Sequence, residues 1–531
     1  MHSLMKKITA LLGMLSLLCC VSARSEAPEA GLLRAAVLYD ISTMDVAQTT
    51  DDYLIPMNVF DRLFETRPAE GTSQIVPSLV TDYTVSADGL TYDFTLMEGV
   101  VFSNGSALTA SDVKYSFERL LKAARENTEI PLEVIGGEAV MNGVADSLEG
   151  FHITDDTHFS ITLNAPNAGF TAELSSPAMS IVDAETTSAA ANFGTDPADI
   201  VGSGPYMVTE WVSNDHYTLV YNEKYRGEAP SVKKLIVRVI ADANTQDLMF
   251  RGGELDLIDL QNLDSLIVAG SYKTLPADRI VSTPKVGLTY LLMNENQTFL
   301  RDVRVRQAIG MAIDVDLIIQ GIFMGDAQRE NGIIPTGVWG HNSALSGFPY
   351  DPEGARALLK EAGYAEGEIR FELAMDSAAN TSTQLVYASV SDQLKKVGIE
   401  ATVASYEHSA WLALRSGGGM DAFVARWGMD YNDPANIMYT FFGSAENTKG
   451  RSLNYPDEEI IARVSAARAI VDDAAREAEY QALEKKLILE DAAWIPMYAE
   501  LHLWALGDRV ASFTPHWAGF SDFYAADVVL K

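Results

Sequence analysis

Apolar residues recur along this chain with two different periods, and the switches between them mark out its elements. Residues 33–38 form an apolar run that reads as a strand opening the folded part. Leu90, Tyr92, Phe94 and Leu96 alternate behind an Asp88-Gly89 turn, which predicts a half-buried strand. After a second turn at Asn104-Gly105 the spacing becomes helical. Val113, Phe117, Leu120 and Leu121 fall on one face, and Thr109-Ala110-Ser111-Asp112 ahead of them is a capping-box pattern. Asp351-Pro352-Glu353 opens another helix, with Leu358, Leu359 and Ala362 facing inward and Gly363 ending it. Val386, Val390, Leu394 and Val397 give a third, stopped at Gly398, and Ile399, Ala401 and Val403 then alternate as a strand. A long helical stretch spans 458–490, with a break predicted at Asp472-Asp473. Strands and helices alternate irregularly, as in mixed α/β lobes.

At 531 residues the chain exceeds what one core supports, so two or three domains are expected. No repeat, low-complexity tract or linker separates them, which points to domains sharing crossover strands. Lys6 and Lys7, the apolar run 8–21 and Val21-Ser22-Ala23 form a secretory leader, 1–23, too short to span a bilayer. Two readings stand: cleavage near Ala23, or a lipoprotein whose first residue is Cys19 or Cys20. These are the only cysteines, so the mature domains hold neither a disulfide nor a thiol nucleophile. With 73 acidic against 39 basic residues, a net charge of −34, nucleic acid and anionic membrane surfaces are disfavoured partners.

Enzyme signatures are missing. The chain has no Walker A loop, no H-E-x-x-H and no G-x-S-x-G, and Gly202-Ser203-Gly204 lacks the spaced glycines of a nucleophile elbow. Its histidines are scattered, and His152 and His158 are separated by a turn, so no metal pair is expected.

The run ADGLTYDFTLMEGVVFSNGSALTASDVKYSFERL at 87–120 resembles the signature of the large extracytoplasmic solute-binding proteins of ABC importers, family 5, which bind peptides, dipeptides or nickel. It departs from that signature at Met97, where Lys or Arg is usual. Further matches follow in the family's order: Gly202-Ser203-Gly204-Pro205-Tyr206 with Trp211, Met293-Asn294 before Asp302-Val303-Arg304-Val305-Arg306-Gln307-Ala308-Ile309, Ile334-Pro335, and 350–364. The resemblance implies a periplasmic-binding-protein-like, two-lobed (Venus-flytrap) α/β fold with an additional small α/β domain. Lobe I would comprise 31–60, 201–287 and 505–531, the small domain 61–200, and lobe II 288–504. It also implies a monomeric, extracytoplasmic, non-enzymatic protein without cofactor. Its lobes would close on a peptide and present it to ABC permease subunits, with membrane contact only through them or a lipid anchor.

The segment 427–434 is the candidate site. Residues 421–427 read as a strand and Asn432-Asp433-Pro434 as the turn after it, which puts Asp430 at the strand's end. On composition alone an Asp there caps a turn. The resemblance instead implies that Asp430 accepts a peptide's α-ammonium, with Trp427, Met429, Tyr431 and Arg426 around it. Ser377 stands near the position where dipeptide binders carry an Arg; neither Val424 nor 375–380 supplies a cation. That leaves the carboxylate pole unassigned and leans toward longer peptides held by their backbone, or toward a different ligand. Trp411, Tyr290 and Trp339 are further stacking candidates. Nickel, haem, an opine or an oligosaccharide are the alternative ligands, and a ligand sensor or a secreted hydrolase the alternative roles.

Overall fold

Three sheets and their flanking helices carry the patterns read above, in a computed structural model that describes residues 29–50, 53–69, 72–261, 263 and 267–531. The leader, with Cys19 and Cys20, lies outside the described residues. In the first sheet Val80–Val85, Thr91–Leu96, His158–Thr162 and Phe151–Ile153 lie antiparallel in that order. Tyr92, Phe94 and Leu96 turn inward onto the helix Ala110–Ala123, whose Val113, Phe117, Leu120 and Leu121 are buried against them. The capping box forms, with the Thr109 backbone N–H donating to Asp112 Oδ2 at 2.9 Å.

A second sheet has the order Leu32–Val37, Lys234–Val239, His216–Tyr221, Tyr206–Val212, with its first pair parallel and the rest antiparallel. Its apolar face packs with Trp504, Phe513 and Val528 from the far end of the chain. The turn into Tyr206–Val212 shows why it is glycine-rich. The Gly204 N–H donates to Val59 O at 2.9 Å, and a Cβ on Gly202 would sit 2.0 Å from that same oxygen.

The third and largest sheet runs Leu257–Asp259, Trp494–Leu506, Gly287–Met293, Ala422–Gly428, Ile369–Asp376, Ile399–Tyr406, and Ile280–Pro284 and Ala327–Arg329 also pair with Trp494–Leu506. Every residue of Gly287–Met293 is buried, as expected of a central strand covered on both faces. Leu288, Tyr290 and Leu292 enter one core, and Leu291 and Met293 the other. Helices Pro352–Glu361 and Thr381–Lys396 fall where the spacing put them. The 458–490 stretch breaks as expected, since Asp472 caps a new helix, Asp473–Lys485, by accepting from the Ala475 N–H at 2.9 Å.

Trp494–Leu506 joins strands from several parts of the chain. Its first half pairs with Gly287–Met293, and its second half with Ile280–Pro284 and Leu257–Asp259. The partners cross over around Lys285 and Glu500, where the Lys285 N–H donates to Glu500 O at 2.9 Å. Among the described residues no helix is long and apolar enough to cross a membrane.

Candidate ligand cleft

A cleft of about 1000 Å³ opens at this crossing. Its floor is Lys285 to Thr289 with Ala499 and Glu500, and one wall is the carboxyl end of Ala422–Gly428 with the chain that follows it. Glu129, Glu133, Glu173 and Ser176 contribute to the rest of the lining. Ligands of α/β proteins commonly sit at such a strand end.

Asp430, Trp427, Tyr431 and Arg426 all line this cleft. Strand alternation separates the last from the others: Trp427 packs on the core that holds Phe423, whereas Arg426 shares the opposite face with Val424. Arg426 leans toward Glu500, 3.9 Å away, and remains largely exposed. Met429 does not belong to the site. The chain bends after Gly428, the Met429 N–H donates to Val286 O at 3.0 Å, and its side chain is 0% exposed in the core with Met438 and Phe441. Ser377 is also outside the cleft lining; it lies exposed beyond Ile369–Asp376, its N–H bonded to Tyr406 O. Trp411 and Tyr290 are core residues, and the Trp339 ring carries the Arg476 guanidinium. The aromatic rings that reach the cleft are instead Tyr53, Trp427, Tyr431, Tyr439 and Phe520.

The polar residues of 427–434 divide into structural and available groups. Asn432, 4% exposed, accepts from the Trp339 N–H at 2.9 Å and donates to Ser73 O at 3.0 Å. Asp433, 2% exposed, pairs with Arg476 at 2.7 Å and caps the start of Ala435–Phe442 through the Ala435 N–H. Both are held by the fold. Asp430 instead faces the cleft, and a chain of hydrogen bonds sets its orientation. Trp427 Nε1–H, which can only donate, gives its proton to Asn436 Oδ1 at 2.9 Å; this turns Asn436 Nδ2 toward Asp430 Oδ2, 3.0 Å away. Although solvent reaches Asp430, the surrounding walls remove enough water to raise its carboxyl above the ordinary Asp range. Asn436 opposes that rise, Glu129 adds to it, and Arg451 opposes it.

Elsewhere in the lining, Arg468 spans two acids, Glu133 and Glu173. It bonds Glu133 closely and lies 3.4 Å from Glu173, while Asn167 donates to both, at 2.7 and 2.9 Å. Burial, then the charge of Glu133, raises the Glu173 carboxyl despite Arg468. At the floor Lys285 pairs with Glu500 at 3.1 Å, and burial lowers its ammonium.

Two arginines were not singled out in the sequence. Arg451 lies over the Trp427 ring, 4.9 Å from its centroid, and Arg415 over Trp411, at 5.2 Å. Both line the cleft. Neither has an acidic partner within 4 Å among the described residues.

This geometry has known counterparts. Residues 74–449 match the family described as bacterial extracellular solute-binding proteins, family 5 Middle. The chain belongs to this family. It is similar to Heme-binding protein A of Haemophilus influenzae, at 26% identity over 88% of this chain and 87% of that one. It is equally similar to the Dipeptide-binding protein of Escherichia coli, at 26% identity over 84% of each. Among solved structures it resembles DppA from Helicobacter pylori in complex with the peptide STSA, at 27% identity, a TM-score of 0.70 and coverage of 94% and 98%. The unliganded open form of MppA, a periplasmic murein tripeptide binding protein, shares the fold at 21% identity, with a TM-score of 0.81 and the same coverage. This family 5 protein therefore has the two-lobed extracytoplasmic binding fold that its sequence resembles.

Proposed function

We propose that this family 5 protein captures short peptides with a free amino terminus in the cleft between its lobes and passes them to the permease subunits of an ABC importer. No bond is made or broken. One observation carries the reading: within 427–434, Asp430 presents a pre-oriented carboxylate to the cleft while Asn432 and Asp433 are consumed by the fold. An ammonium enclosed by closing lobes loses its water and has to be paired, and Asp430 supplies that pair. The peptide-binding proteins among its relatives agree with this choice. So does a cleft lining that, among the described residues, carries no His, Cys or Met, the softer donors that nickel or haem iron favours.

Native mass spectrometry of the protein with an equimolar library of two- to six-residue peptides, free and N-acetylated, tests the reading. Free peptides are expected to be retained and their acetylated forms lost. Equal retention of both, or of neither, overturns it.

A further inference from the structure

The amine anchor leaves the other end of the ligand without a partner. Val424 and Ser377, the two positions that the resemblance offers for a cation, carry no charge. The cleft nevertheless contains cations of its own. Arg451 is half-buried, stacked over the face of Trp427 and within reach of Phe441, whose ring centroid is 5.1 Å from its guanidinium carbon. Arg415 reaches the same region from the helix His408–Ser416, and its Nε is buried without a hydrogen-bond partner among the described residues.

The Arg415 guanidinium is close enough to disfavour the charge on Arg451. Loss of water and the proximity of Arg415 both lower Arg451, with Tyr290 and Asp430 opposing that fall. In a chain where acids outnumber bases by 73 to 39, finding an acid for a half-buried arginine is easy. Arg468 and Arg476 have two each within 4 Å, and Lys285 has one. Arg415 and Arg451 have none within 4 Å among the described residues. A pair of like charges without a counter-ion in a partly dry wall is costly unless an anion arrives to share it.

The position of the pair says which anion. Arg451 covers the face of Trp427, and the edge of that same indole leads through Asn436 to Asp430. Asp430 and Arg451 influence each other's charge yet form no ion pair within 4 Å, so a gap separates an anion and a cation on one wall. A ligand that carries an ammonium at one end and a carboxylate at the other fits that polarity. An extended chain of two or three residues spans about 7–10 Å, enough to bridge an anion and a cation that lie more than 4 Å apart.

We propose that Arg451 and Arg415 form the subsite for the ligand's terminal carboxylate, opposite Asp430 along the Trp427 indole, and that the cleft therefore selects short peptides with both ends free. The planar guanidinium offers the paired donors that a carboxylate accepts two at a time, and the indole face holds Arg451 in place before the ligand enters. This inference rests on the amine-anchoring reading above, and it replaces backbone-held longer peptides with a length limit.

The test adds a C-terminally amidated copy of the peptide library and the variants Arg451→Gln and Arg451→Lys, each checked by thermal melting. The wild-type protein should retain free di- and tripeptides and lose their amides by about 10- to 100-fold. Arg451→Gln should lose free peptides by a similar factor and bind amides as the wild type does; Arg451→Lys, which keeps the charge, should fall between. If the wild type binds free and amidated peptides alike, the carboxylate subsite is overturned while the amine anchor stands. If Arg451→Gln, folded, keeps the wild-type preference for free carboxyl ends, the assignment to this pair is overturned. Retention of amides only when they contain Asp or Glu reassigns the subsite to side-chain carboxylates and overturns the terminal one. Binding of no peptide at all overturns both readings together.

Discussion

Replacing Asp430 with Asn removes one charge and leaves the shape of the site almost intact, because Asn436 Nδ2 can still donate to an amide oxygen where it now meets Asp430 Oδ2. A ligand ammonium in contact with the carboxylate, about 3 Å away, gains roughly 5 kcal/mol at an effective dielectric of about 20. Water reaches Asp430 in the cleft, and that screens part of the attraction. The expected loss on substitution is therefore about 2–4 kcal/mol, or roughly 30- to 1000-fold in Kd. Calorimetry with one retained free peptide and its N-acetyl form measures it. N-acetylation of the peptide should cost the wild type about as much as the substitution does, and the two changes together should cost little more than either alone. The pH dependence has a definite sign. Since the cleft raises the Asp430 carboxyl, affinity for free peptides should fall as pH drops through that raised value, and Asp430→Asn should lose this dependence. An equal loss for free and acetylated peptides would refute the reasoning, since it would mean that Asp430 acts by holding Asn436 and Trp427 rather than by meeting the ligand.

Two further outcomes follow from charges around the cleft. Arg468→Met leaves Glu133 and the 2% exposed Glu173 facing each other without their cation. Urea unfolding should show a loss of about 2–3 kcal/mol at pH 9 that shrinks at pH 6, below the value of about 8 to which the Glu173 carboxyl is raised, where it holds a proton; the same loss at both pH values would exclude this account. Glu484, bonded through Oε1 to the Ile334 N–H at 2.8 Å, is pushed up to about 8 by burial, and Glu330 to about 7. Both therefore bind protons more tightly in the folded chain. Their stabilising effect is complete below the ordinary Glu value and is lost as pH rises toward 8. Stability should decline from pH 5 to pH 8, and Glu484→Gln should remove about 2–4 kcal/mol of that decline; an unchanged slope in the variant would count against it.

The elements that the sequence announced were those whose signals are local. Period-two alternation placed Thr91–Leu96, helical spacing with a cap placed Ala110–Ala123, and the N-capping Asp351 with Pro352 placed Pro352–Glu361. The place of Asp430 at a strand end was legible from the strand and turn that frame it, whereas its place in a cleft was implied only by the family resemblance. Met429 was misread because alternation stops at Gly428, where a bond to Val286 turns the next side chain into the core. The rest of the cleft was out of reach for a different reason. Arg468 meets Glu133 across 335 positions, and Arg451 finds Trp427 only after the helices Ala435–Phe442 and Ala445–Gly450 fold the chain back. No periodicity encodes such meetings.

The joining strand Trp494–Leu506 also governs the order in which this protein can acquire structure. It starts at residue 494 of 531, yet it supplies a partner to Leu257–Asp259, Ile280–Pro284, Gly287–Met293 and Ala327–Arg329. Until it emerges from the ribosome, each of those strands lacks this shared partner, and of the four only Gly287–Met293 has another long one, in Ala422–Gly428. Pairings over such separations form slowly, because a long loop has to be ordered before the contact compensates for it. The largest sheet therefore cannot be completed from its early strands alone: its order waits on a partner that follows all four of them in the chain.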